Sequence, residues 1–165
     1  MAKTDSFFIR ASVDTNTTTF AQASVDLGAY VDALGKSVLR IHNIATQYGD
    51  PVDAPTVSAN STNVIAFQLT TQSQSAMVGA DDRSVIAGGK LLLTGDAGAA
   101  VQVASESLDV APQHWTNGYL VGVEQIYLAT DATADVSIGA INIVLECTVE
   151  TLSQSAAMAL ALSQQ

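Results

Sequence analysis

DVSIGAINIVLECTVE, from Asp135 to Glu150, alternates apolar and polar side chains with a period of two. Ile141, Ile143, Leu145, Cys147 and Val149 fall on one side of an extended chain, and Asn142, Glu146, Thr148 and Glu150 on the other. Successive side chains of a strand point to opposite faces, so this is a strand with one face in a core and one toward solvent. A slip of one residue would turn the whole set inside out, which fixes its register. The apolar face is expected to lie beside Ile126 and Leu128 of an adjacent strand.

The same period recurs outward from this segment. Tyr119 to Thr130 reads as one long strand rich in Val, Ile, Leu and Tyr, and Val38 to Tyr48 as another. Val64 to Thr71 sets Ile65, Phe67 and Leu69 against Ala66 and Gln68. Phe7 to Val13, Thr18 to Leu27, Ser84 to Leu93 and Ala99 to Ala104 complete a set of about eight strands. Turn chemistry separates them at Gly49-Asp50-Pro51, Gly79 to Asp82, Gly95 to Gly98, Asn117-Gly118 and Thr130 to Asp135. Short helical turns are expected at Leu27 to Leu34 and Ser105 to Val110. With no long amphipathic helices between the strands, the fold class is all-β: an antiparallel eight-stranded β-sandwich. Residues 1–150 form that single domain. Residues 151–165 form a C-terminal arm of helix-favouring composition, with Leu152, Ala156, Ala159 and Ser163 near one stripe.

Composition bounds the function. The chain has 165 residues, 48% of them hydrophobic and only 13% charged. At this size about two thirds of the unfolded surface, roughly 24,700 Å², is buried on folding, enough for one core without staples. Cys147 is the only cysteine, which excludes a disulfide scaffold. The net charge is −10, and from Leu91 onward there are eight carboxylates and no Lys or Arg. Such a chain repels phosphate backbones, so no direct nucleic-acid contact is expected. MAKTDSFFIR lacks the apolar region of a secretion signal, and no run approaches the ~18 apolar residues of a transmembrane segment.

Catalytic chemistry is sparse. Cys147 lies on the apolar face of its strand, where a thiol acts as a small buried hydrophobe. His42 sits on a polar face beside Arg40, as a surface residue. Gly88-Gly89-Lys90 ends in Leu91 and lacks the first glycine of a phosphate-binding loop. No catalytic residue, zinc site or cofactor is expected. Asp50 with Asp53, Asp81 with Asp82, and Asp131 with Asp135 are either oxygen ligands for calcium or solvated turn residues. His114 and Trp115 lie in a loop, and Trp115 is either a packing anchor or a platform on which a sugar ring stacks.

Small neutral residues fill the outward positions where a soluble monomer shows Lys and Glu, and charge depletion marks the buried part of protein contacts. Taken with Thr18 to Leu27, KSVLRIHNI from Lys36 to Ile44, and the pair Tyr119 to Thr130 and Asp135 to Glu150, the pattern resembles the single jelly-roll capsid proteins of icosahedral viruses. That resemblance implies a virion shell protein made in the host cytoplasm, with no enzymatic activity. Its implied partners are copies of itself in a large symmetric homo-oligomer, together with other virion proteins. His114, Trp115, Leu152, Met158 and Leu160 are the expected interface residues, and the tail is expected to reach a neighbouring subunit. The basic genome-facing arm of many such proteins is missing here. A carbohydrate-binding sandwich of a fibre or cell-surface protein is the alternative.

Overall fold

The computed structural model describes residues 4–14, 19–32, 34, 36–52, 55–95, 103–133, 136–137 and 139–165. Nine strands form two antiparallel sheets. The first sheet has the spatial order β1 (Phe7–Asp14), β11 (Ala140–Thr151), β3 (Ser37–Tyr48), β8 (Tyr119–Val121). The second has the order β2 (Ala21–Asp26), β9 (Gln125–Ala132), β5 (Thr62–Thr70), β6 (Val85–Thr94), β7 (Val103–Val110). Two short strands, β4 (Thr56–Val57) and β10 (Val136–Ser137), pair as a separate ribbon. One helix, α1 (Gln154–Ser163), ends the chain.

The pairings nest. β1 pairs with β11, β2 with β9, β3 with β8, and β5 with β6. Two further pairings, β11 with β3 and β9 with β5, join these four hairpin-like couples into the sheets. β7 adds one strand to the outside of the second sheet; it takes in the end of the expected strand Ala99 to Ala104, whose first four residues lie outside the described ones. Nine strands stand where eight are expected because Tyr119 to Thr130 is divided in two.

The alternation of β11 holds from Ile141 to Cys147 and then lapses, with Thr148 and Glu150 buried and Val149 only partly buried against the core. Ile141, Ile143, Leu145 and Cys147 are all buried in a cluster fed by both sheets. The neighbours of β11 are β1 and β3, however, so Ile126 and Leu128 meet that face from the opposing sheet. One bulge interrupts β3: Glu146 pairs with Asn43 but Cys147 with Ile41. The extra residue moves the inward parity from Ile41 to Ile44, so both remain buried.

Two expected elements differ. The long strand from Tyr119 to Thr130 is two strands in different sheets, β8 and β9, separated at Gly122. Helix α1 crosses there so closely that a Cβ on residue 122 would lie 3.0 Å from Leu160 Cγ and 3.1 Å from Ala161 N. A side chain there would push the helix back by a few tenths of an ångström, so glycine favours the close approach, and the chain changes sheets beside it. Ser105 to Val110 is strand, part of β7, because pairing with β6 outweighs local turn preference. Leu27 to Leu34 holds a single turn, with Val31 N–H donating to Leu27 O.

The tail is helical, but it packs on its own sandwich. Its inward stripe is Ala157, Ala161 and Gln164, with Leu160 half-buried, while Ala156, Ala159 and Ser163 are exposed. Ser153 caps the helix, accepting from Ala156 N–H.

Tyr48 packs edge-on against Phe67 with ring centroids 6.2 Å apart. Its hydroxyl is buried and finds no partner among the described residues. Burial, then the fields of Glu106 and Asp109, push its ionisation up. Removing a polar atom that has lost water and gained nothing relieves a desolvation cost. Tyr48→Phe is therefore expected to leave stability unchanged or raise it by up to about 1 kcal/mol in urea unfolding. A loss of that size would mean the hydroxyl is satisfied.

Candidate functional site

Three glutamines reveal how the surface is built. The carboxamide of Gln164 donates to Leu120 O at 2.7 Å and accepts from Gly122 N–H at 2.8 Å. Leu120 lies in β8, the edge of the first sheet, and Gly122 directly follows its last residue, Val121. Beyond β8 that edge is continued by β3, and there Gln113 accepts from Ile44 N–H at 3.2 Å and donates to Ile44 O at 3.1 Å. A primary amide carries a donor and an acceptor side by side, as a peptide group does, and so replaces the missing neighbour strand. Gln68 does the same on the outer face of the second sheet, with Val78 O at 2.7 Å and Val78 N at 3.1 Å. It holds the 71–84 loop over β5 and β6, which explains why Thr70, Thr71 and Ser84 are buried. Outward neutral side chains at these places satisfy the chain's own backbone groups.

The outer face of the first sheet carries an internal ion pair. Arg40 grips Glu150 in a fork, Nε to Oε1 at 2.7 Å and Nη2 to Oε2 at 2.8 Å, and also donates to Asn117 O. The hydrogen bond to Glu150 raises the guanidinium's already high affinity for its proton. Next to it, His42 Nε2 lies 2.9 Å from Thr148 Oγ1. These groups bind β3 to β11 and to the Asn117-Gly118 turn. Gly118 sits at φ +62° there, with Ile41 O where a Cβ would stand.

The aspartates are held as turn residues. Asp82 Oδ1 accepts from Ser84 Oγ at 2.7 Å and Ser84 N–H at 2.8 Å, and these bonds depress its proton affinity. Asp131 Oδ1 accepts from Ala132 N–H. Asp50 lies exposed beside Gly139, and Asp81 exposed beside Gly79. Asp53 and Asp135 fall outside the described residues. Among the described residues no group of three or more His, Cys, Asp or Glu side chains is placed to hold a metal ion.

Cys147 is fully buried, and burial pushes its thiol up to about 12, with Glu146 adding. An unfolded chain releases that proton near 9, while the folded one keeps it. Stability is expected to fall by about 1.4 kcal/mol per pH unit from this group as pH rises above 9. Urea unfolding at pH 8 and 10 measures it: Cys147→Ala should lose this share of the slope, and an unchanged slope would refute the assignment.

The expected contact residues scatter. Trp115 is 53% exposed at the end of a 3-10 turn over Pro112–His114, with His114 also exposed. Met158 and Leu162 are exposed on the outer side of α1, while Leu152 and Leu160 are half-buried. Leu152 N–H donates to Lys36 O, continuing the strand's bonding into the tail. Leu34 and Val52, both exposed in loops, were not anticipated. Nor were the exposed Phe8, Arg10 and Asp14 of β1. Two opposite charges four residues apart in a strand are the signal that could have found them.

No protein-family model matches the chain, and no curated protein matches it in sequence. Among the described residues, no helix is long and apolar enough to cross a membrane.

Proposed function

We propose that this chain is a virion shell protein with a jelly-roll sandwich, which self-assembles through its sheet edges and loops. The nested pairing carries the reading. With β4, β7 and β10 set aside, first pairs with last, second with next-to-last, and so on inward. That is a long hairpin folded over twice, the arrangement of jelly-roll capsid domains. The acidic charge suits a shell that leaves the genome to other components. Light scattering and negative-stain imaging of the purified chain test the reading. Closed particles or defined rings are expected, and a monodisperse monomer at high concentration would overturn it.

The exposed ring of Trp115 favours a second reading, in which the loop stacks against a sugar. Glycan-array binding lost on Trp115→Ala would support that reading.

A further inference from the structure

We propose that β1 pairs antiparallel with β1 of a second copy, about a two-fold axis at Ser12, so that the first sheet runs on through the dimer. The edges of the sandwich are treated unequally. On the β3–β8 side, Gln113 and Gln164 occupy the backbone groups that another strand would use. On the outside of the second sheet, β7 carries Glu106 and Asp109, so two copies of that edge would oppose like charges. β1 has neither protection. It pairs with β11 along its whole length on one side, and among the described residues no strand is hydrogen-bonded to the other, where β2, an edge of the second sheet, lies beside it without pairing. A cleft of about 450 Å³ opens there, lined by Phe8 to Ser12, Ser24 to Asp26 and Tyr30. Long unguarded edges invite pairing, and natural sheets cover them or use them.

The charges on β1 identify the occupant as the chain itself. Ile9 and Val13 are buried, so Arg10 and Asp14 share the outer face, and both are exposed. They are the only charged residues of the strand. An antiparallel pair centred on Ser12 sets Arg10 against Asp14 of the second copy, and Asp14 against its Arg10. A two-fold contact makes every such pair twice. Centred on Arg10 the same strands would oppose two guanidinium groups, so the charges select the register as well as the partner.

The contact deepens the shell reading and rests on it only for where the dimer goes next. Residues opposite each other in an antiparallel pair have Cα atoms about 4.5–5.5 Å apart, within the span of a disulfide. Ser12→Cys is therefore expected to give a covalent dimer under mild oxidation, while the wild type, whose Cys147 is buried, does not. In sedimentation, Arg10→Asp or Asp14→Arg alone should weaken the dimer about tenfold or more. The double exchange Arg10→Asp/Asp14→Arg should restore it. All three positions are exposed, and thermal unfolding checks that each variant stays folded. No cross-link, or a double exchange no better than the singles, would overturn the contact. Dimers without larger particles would support the contact and overturn the shell reading, and particles without the cross-link the reverse.

Discussion

Leu145→Ala is expected to destabilise the protein by about 2–5 kcal/mol, the range for emptying a well-packed leucine site. Leu145 is fully buried and lies in the middle of β11, one of the two inner strands of the first sheet. It pairs with Ile9 of β1 on one side and Ile44 of β3 on the other, and both belong to the same core cluster. Two hydrogen-bonded flanking strands hold the backbone in place, so the site has little freedom to collapse around a smaller side chain. The lost transfer energy and the cavity therefore add. Chemical unfolding measures the change, with Leu145→Met as a volume-conserving control expected to cost less than about 1.5 kcal/mol. A loss below about 0.5 kcal/mol, the size of an ordinary surface effect, would mean that β11 faces the other way.

That prediction could be made from sequence because β11 obeys a rule that depends only on its own residues. A strand buried on one face must alternate, and nothing nearby needs to be known. The same logic located β1, β3, β5 and β6 to within a few residues. It failed where a residue's role is set by a distant element. Tyr119 to Thr130 looks continuous because Val, Ile, Leu and Tyr stand on both sides of Gly122, and the helix that uses this glycine comes some forty residues later. β7 was read in part as a helical turn because ESLDV lacks a clean apolar face, and its strand state comes from β6. Gln68, Gln113 and Gln164 looked like neutral surface filler. Their meaning lies in backbone groups that only the folded topology brings within reach. The Arg10 and Asp14 pair needed only the knowledge that β1 is an edge, which alternation cannot supply.

Deletion of Ser153 to Gln165 is expected to weaken the sandwich itself, contrary to the tail's reading as a free arm. The segment makes few apolar contacts for a helix, because only Ala157 and Ala161 among its apolar residues are buried. Its hold is polar and concentrated at the far end. Gln164 seals Leu120 O in β8 and Gly122 N directly after it, its own carbonyl accepts from Thr71 Oγ1 at 3.0 Å, and Gln165 O accepts from Arg83. At about 1 kcal/mol net for each hydrogen bond, losing the set costs about 3–5 kcal/mol, a large part of a domain's usual stability. The truncated chain also bares an edge of the first sheet, so aggregation should rise as stability falls. Gln164→Ala separates the two contributions, since it keeps the helix and removes only the amide that stands in for a strand. It is expected to lose about 1–3 kcal/mol, because Gly122 N–H is left buried without a partner. Urea unfolding and light scattering of the two variants measure both effects. A truncated chain as stable and as soluble as the full one would mean that the helix rests loosely on β8 and is available to a neighbour after all.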